Sequence, residues 1–302
     1  MRYLDPKNDL TFKKVFGNHP HLLISLLNAL LPIGEEDEVV SVEYLPAELV
    51  PEIPLLKNTI VDVRCVDKKG RQFIVEMQML WTDSFASRVL FNASKAYVGQ
   101  LRRGREYLGL QPVYALSFVN DIYEHDTEEF YHHYSIVHSQ FPEKRLKGLE
   151  FVFVELPKFK AKSLSDKKMQ VLWLRYLTEI KDQSDFISDE LLADPNVKEA
   201  IDYLQESAFS LGELYTYDRY WDRVSTERSF LGDAERKGLK QGMEKGLEQG
   251  LEQGLEQGEE IGIKKASITM AQNLLKLGVL TKTQIAEITG LQIKEIEKLD
   301  TK

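Results

Sequence analysis

Residues 58–80 carry the pattern of a tight hairpin that would bring two carboxylates to one face. The segment reads Asn58-Thr59-Ile60-Val61-Asp62-Val63-Arg64-Cys65-Val66-Asp67, then Lys68-Lys69-Gly70, then Arg71-Gln72-Phe73-Ile74-Val75-Glu76-Met77-Gln78-Met79-Leu80. Both flanks are rich in β-branched and aromatic residues, and the gap between them ends in glycine, which is a hairpin pattern. Lys68-Lys69-Gly70 suits a three-residue loop, a type I turn closed by a glycine in the left-handed region. Asp67 then faces Arg71, Asp62 faces Glu76 and Ile60 faces Gln78. Directly opposed residues share a sheet face with their Cβ atoms roughly 5 Å apart. Ile60, Ile74 and Leu80 fall on the same face, so it is expected to be at least partly buried. Two buried carboxylates at that spacing repel unless a proton or a cation lies between them, and a divalent ion with oxygen ligands meets that need.

The remaining composition sets bounds. With 302 residues, 43% of them hydrophobic, the chain can bury a large core and carry smaller appendages. Its one cysteine, Cys65, excludes an intramolecular disulfide and fits a reducing compartment. No apolar signal region follows Met1-Arg2-Tyr3-Leu4-Asp5-Pro6. The longest apolar run, residues 22–31, is about half a membrane span and is interrupted by Ser25 and Asn28. These features predict a cytoplasmic protein with no membrane partner. A net charge of -9 argues against a protein that coats nucleic acid, but a metal cluster itself demands acids and a groove needs only a local basic patch. Arg88, Lys95, Arg102, Arg103 and Arg105 form one candidate DNA-binding patch. The ordinary alternative is a solvated helix end whose cations complement the helix dipole.

Apolar periodicity outlines the elements. Thr11 is placed to cap a helix over residues 12–31, which Pro32 and Gly34 end. Alternation predicts a strand over 39–49, and the hairpin follows. Asp83 opens a second helix reaching about residue 107, broken at Gly109, and 112–119 reads as a buried strand. The order is helix, three strands, helix, strand. Two further strands fall at 132–138 and 149–156, and after Pro157 the pattern turns helical over 167–180, 197–211 and 212–231. The expected organisation is a core over 1–160, a helical extension packed on it over 161–232, a repeat over 233–265 and a small helical tail over 266–302.

Within the repeat, glycine recurs every fourth residue from Gly238 to Gly262, and Leu-Glu-Gln-Gly occurs three times without change. In a helix these glycines spiral into a groove. Each costs about 1 kcal/mol against alanine, and the glutamate row Glu244, Glu248, Glu252 and Glu256 adds like-charge repulsion. Such a helix gains most from a second helix lying along the groove, so self-association through this segment is expected; a plain linker of variable length is the alternative. In the tail, Ile268, Ala271, Leu274 and Leu275 mark one helix ending near Gly278, residues 281–291 give a second and 292–299 a third. The short helix, Thr-Gly-Leu turn and following helix resemble a helix-turn-helix, although Lys294, Glu295, Glu297 and Lys298 balance in charge. An oligomerisation or packing role is the alternative.

Hydrolysis of a phosphodiester needs charge stabilisation at the non-bridging oxygens and a water held in line. Mg²⁺ supplies both from one or two protein carboxylates plus waters. Asp62 and Glu76 suit that role, with the Met77 carbonyl as a third ligand and Gln78 on the same face to orient water or phosphate. The element order, with Asp62 followed by Glu76-Met77-Gln78, resembles the PD-(D/E)XK nuclease superfamily, a restriction-endonuclease-like α/β core here carrying helical additions and a Gly-repeat helical tail. Within it the chain is similar to the Rpn family of recombination-promoting nucleases, also called PD-(D/E)XK family transposases. The likeness rests on Asn8-Asp9-Leu10-Thr11-Phe12-Lys13-Lys14-Val15-Phe16-Gly17, Leu26-Leu27-Asn28-Ala29-Leu30-Leu31, the hairpin, and Arg88, Tyr97, Gln100, Gly104, Tyr107 and Pro112-Val113. It implies a Mg²⁺-dependent DNA endonuclease, with Mn²⁺ as a substitute, tied to recombination, mobile elements or defence. Asp62 and Glu76 match the metal-binding acids, Gln78 the third motif position where lysine is commoner, and Asp9 the acid that many members carry on the first helix. Two other readings stay open. One is an RNase H-like transposase using Asp62, Asp121 and Glu155; the other is a catalytically silent assembly or DNA-binding protein acting through its tail.

Overall fold

A computed structural model describes residues 2–49, 59–101, 106–161, 168–182, 184 and 186–300, and the chain divides into two compact units, Met1–Arg228 and Ser229–Lys302. The first unit opens with α1 (Asp9–Phe16) and α2 (Pro20–Leu30). The single helix expected over 12–31 is therefore two. Pro20 lacks an N–H and drives His19 before it into extended backbone. Gly17 closes α1, and a Cβ there would meet the Lys13 carbonyl at 2.6 Å. The cap is Asn8, whose side chain accepts the Leu10 N–H. Thr11, expected to cap, is buried inside α1, with its hydroxyl 2.6 Å from the Asp5 carbonyl.

The region expected as one strand over 39–49 gives β1 (Val42–Tyr44) and β2 (Glu48–Leu49). After β3 (Thr59–Ile60) the hairpin forms from β4 (Val63–Asp67) and β5 (Gln72–Gln78). Its register is Val63↔Val75, Arg64↔Ile74, Cys65↔Phe73 and Val66↔Gln72, as the turn chemistry predicts. Gly70 takes φ +82, its N–H bonds the Asp67 carbonyl at 3.0 Å, and Asp67 N–H bonds the Arg71 carbonyl at 3.0 Å. The buried Asp67 carboxylate also clasps the Arg71 guanidinium at 2.7 Å. Next come α3 (Asp83–Val98) and β6 (Val113–Val119). The helix ends at Val98, short of residue 107. Gln100 instead exchanges two 2.9 Å hydrogen bonds with the Gln111 backbone and turns the chain back toward β6.

With β7 (Tyr131–His138) and β8 (Phe141–Glu155) the main sheet reads β1-β4-β5-β6-β8-β7. β5, β6 and β8 run parallel, and their flanking partners run antiparallel. β2 and β3 form a separate two-stranded ribbon. The remaining helices of this unit are α4 (Lys168–Glu179), α5 (Asp189–Leu192), α6 (Pro195–Asp202) and the start of α7 (Leu211–Leu277). One face of the sheet, with Phe73, Val75, Leu116 and Val152, packs on α1, α2, α4, α5 and α6. Phe16, Trp173 and Tyr176 meet there with ring centroids 5.4–6.3 Å apart, edge-on contacts worth about 0.5–1.5 kcal/mol each. The other face, with Ile74, Val113, Ala115 and Val119, packs on Phe85, Val89, Ala93 and Ala96 of α3. Alternation along β5 therefore places Glu76 and Gln78 on the α3 side.

The second unit holds the rest of α7 with α8 (Lys282–Thr289) and α9 (Ile293–Asp300), packed around Ala271, Ile285, Leu291 and Ile296. Thr281 and Gln284 form a capping box, and Gly290 closes α8 in the left-handed region at φ +69. The glycine repeat is helical, and a Cβ at any of Gly238 to Gly262 would meet nothing within 4 Å. Among the described residues no helix is long and apolar enough to cross a membrane.

The hairpin turn yields a test. Gly70→Ala forces an L side chain to positive φ against the Gln111 side chain, 3.0 Å away. We expect a loss of about 1–2 kcal/mol in urea unfolding with an unchanged m-value. A change below a few tenths would mean that the turn tolerates a Cβ.

Candidate functional site

The β4–β5 ladder stops at Val63↔Val75, and Asp62 lies in a bend immediately before it, in line with Glu76. The bend turns its carboxylate inward, where Oδ2 accepts the Met77 N–H at 2.7 Å. Gln78 gives its carbonyl to Asn120 N–H on the β6 side at 2.8 Å, so Met77, one residue earlier, points both its N–H and its C=O to the Asp62 side. The Met77 carbonyl is thus directed to the side of β5 on which Asp62 lies. Ile60 departs from expectation. The chain leaves the hairpin at Asp62, Val61 N–H bonds the Ala47 carbonyl at 3.1 Å, and Ile60 pairs with Glu48. It is 69% exposed and does not face Gln78. Ile74 and Leu80 do bury that side.

α3 supplies the other wall. Asn92 donates its amide to Glu76 Oε1 at 3.1 Å, and Arg88 Nη2 lies 3.8 Å from Glu76 Oε2. The same Nη2 donates to Gln78 Oε1 at 2.9 Å, while Gln78 Nε2 donates to the Leu80 carbonyl at 2.8 Å. Both ends of the Gln78 amide are therefore engaged. From α1, Lys13 bridges Asp9 at 2.7 Å and Asp62 at 3.6 Å. Asp62, Glu76, Met77, Gln78 and Arg88 line a cavity of about 330 Å³ together with Thr59 and Ile60.

Electrostatics follow from this packing. Burial pushes the Asp62 pKa up to about 6, against the lowering influence of the Met77 N–H and Lys13 and with the help of Asp9. Burial, then the Asp62 charge, pushes Glu76 up to about 7, opposed by Arg88 and Asn92. For Lys13, burial works against the ammonium, but Asp9 and Asp62 outweigh it and hold its pKa above the usual lysine value. Each acid has one oxygen fixed by a neutral N–H donor and lone pairs left over. Among the described residues no group of three or more His, Cys, Asp or Glu side chains could hold a metal ion. Two carboxylates and a carbonyl instead fit an oxygen-loving ion that keeps part of its water, the habit of Mg²⁺.

The remaining candidates are elsewhere. Lys95 lies further along α3 and donates to the Leu49 carbonyl at 2.5 Å. Arg102, Arg103 and Arg105 lie outside the described residues. Asp121 accepts the Trp81 and Ile122 N–H groups. Glu155 is buried, accepting the Tyr123 and Glu124 N–H groups and pairing with His132 and Lys158. Neither lines the Asp62 cavity, so the acid set of an RNase H-like centre is not assembled. Lys13 and Asn92 escaped the sequence reading. The spacing Asp9/Lys13 and Arg88/Asn92, each i,i+4 on a helix, is the one signal that could have grouped them.

The raised acids carry a sign that can be checked in EDTA. A carboxyl whose folded pKa exceeds its ordinary value of roughly 4.3 binds more protons folded than unfolded, so its charge destabilises as pH rises from about 4 to 7. Glu76→Gln keeps an acceptor for Asn92 and removes that charge. Its melting temperature should match wild type near pH 4.5, rise above it through pH 7 and level off. A difference independent of pH would mean that Glu76 ionises as if in water.

Comparison with known families finds a match to the model described as PD-(D/E)XK nuclease family transposase, over residues 6–230. Comparison with curated proteins and with solved structures finds no match. The matched span takes in the sheet, the helices on both of its faces and every residue of the Asp62–Glu76 cluster. The chain belongs to the PD-(D/E)XK nuclease family transposases.

Proposed function

We propose that the protein is a Mg²⁺-dependent DNA endonuclease, able to use Mn²⁺, that serves recombination, mobile elements or defence. The observation that carries this reading is the buried pair Asp62 and Glu76, each oriented by one N–H donor and each left short of positive charge. Asp62, Glu76 and the Met77 carbonyl would hold the ion, with Asp9 behind them through Lys13. A divalent ion held there offsets charge developing on the phosphate oxygens and makes a nearby water more acidic. The neutral amide of Gln78 supplies no charge of its own. Its role is to aim Arg88, whose guanidinium rests on the Gln78 oxygen beside Glu76 and stands where it can meet a non-bridging oxygen.

Purified protein should nick or cleave plasmid DNA with Mg²⁺ or Mn²⁺ and not in EDTA. Asp62→Ala and Glu76→Ala should each abolish cleavage and Mg²⁺ binding by calorimetry without lowering the melting temperature. Arg88→Ala should cut kcat by about 10²–10³ with Mg²⁺ affinity little changed, and Gln78→Leu should weaken cleavage through loss of the Arg88 anchor. Equal cleavage by wild type and both acid variants would reveal a contaminant and leave the silent assembly or DNA-binding reading. Full activity in Arg88→Ala would remove the arginine from the chemistry.

A second copy of the chain is the partner that the repeat favours. Leu239, Met243, Leu247, Leu251 and Leu255 are exposed beside the open glycines, and a four-residue step drifts about 40° around the helix, so a partner helix would wrap along them. Truncation after Leu231 should reduce self-association and leave Mg²⁺ binding intact. Gly246, Gly250 and Gly254 changed together to Ala should raise helicity but fill the groove and weaken association. Light scattering on the three proteins decides it, and an unchanged mass across the set would reduce the segment to a spacer.

A further inference from the structure

The first turns of α7 stand against the carboxylate cluster. Tyr220, Trp221 and Val224 pack on Met79 and Leu80, the residues that follow Gln78. The Asn8 amide donates to the Tyr217 carbonyl at 3.1 Å, and the Tyr217 hydroxyl accepts the Asp5 N–H at 2.9 Å. This stretch of α7 is therefore fixed to the end of β5 and to the start of α1, the two places that deliver Glu76, Gln78 and Asp9. Between α7 and α1 lies a cavity of about 540 Å³ whose lining includes Asp9, Arg219, Tyr220, Asp222 and Arg223.

Arg219 and Arg223 are one helical turn apart and exposed. The guanidinium of Arg223 lies 5.2 Å from the Tyr220 ring centre, and that of Arg219 lies 5.9 Å from the Tyr215 ring centre. Among the described residues neither forms an ion pair, and of the two acids in the lining Asp9 is already matched by Lys13 at 2.7 Å. Asp9 in this lining is linked through Lys13 to Asp62 of the acid pair. Burial first, then the charges of Asp62 and Asp9, hold the Tyr220 phenol above its ordinary pKa, and Tyr220 shares the cavity lining with Asp9. The lining of this cavity carries two charges of each sign, whereas a larger cavity along α7, about 1000 Å³, sets Asp5, Asp182, Asp218 and Asp222 against Lys7, Lys181 and Arg228.

The geometry points to Arg219 and Arg223 as a clamp for backbone phosphates of the DNA strand that enters the Asp62–Glu76 cavity, an inference that rests on the endonuclease reading. Two guanidiniums at i,i+4, stiffened by aromatic neighbours and free of ion pairs among the described residues, suit successive phosphates of one strand. Arg88 and this clamp would then hold the strand from opposite sides of the acids.

The test is equilibrium binding of a labelled DNA duplex to the full chain across a salt series, with Ca²⁺ replacing Mg²⁺. Each phosphate contact contributes about 0.9 to the slope of log K against log salt. The double variant Arg219→Ala, Arg223→Ala should therefore lower the slope by about 2 and weaken binding. Arg219→Lys with Arg223→Lys should keep the slope, and Mg²⁺ calorimetry should be unchanged in both. A double-alanine variant that binds with the wild-type slope overturns the clamp and leaves the endonuclease reading standing. A variant that loses Mg²⁺ binding or its melting temperature overturns it by making the arginines structural. Wild-type protein that binds no DNA overturns the endonuclease reading together with the clamp.

Discussion

The two acids in the β4–β5 hairpin set the terms for the elements around them. Asp62 and Glu76 are drawn together by a register fixed at Gly70 and by the Asp67–Arg71 clasp. Burying two like charges in one cavity is unfavourable unless other groups compensate. The compensation comes from three directions. The Met77 N–H of β5 holds Asp62, Asn92 and Arg88 of α3 hold Glu76, and Lys13 of α1 stands between Asp62 and Asp9. None of these groups cancels the pair completely, since both pKa values remain raised. Burial is the main reason that both carboxyls stay raised, and the pair lies within the span matched to the nuclease family.

The sheet explains how such a site is held firmly. β5 is flanked by β4 and β6 and covered on both faces, so the backbone bearing Glu76 and Gln78 has little freedom. The parallel crossover from β5 to β6 needs a long connection, usually a helix, and α3 supplies it while directing Arg88 and Asn92 to Glu76 and Gln78. The residues below them on the same helix, Val89, Ala93 and Ala96, are buried apolar contacts. One helix thus serves the core along one stripe and the site along another. The second unit has its own small core around Ala271, Ile285, Leu291 and Ile296.

Much of this is legible in the amino-acid sequence. The hairpin, its turn, the alternation that brings Asp62 and Glu76 to one side, and the order helix, three strands, helix, strand are all local or nearly local patterns. A three-residue loop ending in glycine admits few registers, and each register determines which side chains meet. The errors also have local causes. Gly17 and Pro20 divide a helix whose apolar stripe runs on without a break. Asn8 caps in place of Thr11 because its side chain reaches the Leu10 N–H. Ile60 swings out because the chain bends at Asp62.

The partners of the acids were beyond the reach of the sequence. Lys13 and Asn92 are ordinary positions on amphipathic helices, and Arg88, read from the sequence as a candidate DNA contact, shows no tie to Glu76 or Gln78, until α1 and α3 are docked on the sheet. The stretch from Arg219 to Arg223 lies more than a hundred residues downstream, in a segment with no motif of its own. Register is decided by backbone hydrogen bonding between neighbours in the chain, and so the sequence by itself determined which carboxylates would meet. Long-range packing of helices on a sheet depends on surfaces that exist only after folding. Only the tertiary structure could therefore decide that Gln78 is tied to Arg88, that Asp9 reaches Asp62 through Lys13, and that Tyr220, Trp221 and Val224 pack on Met79 and Leu80.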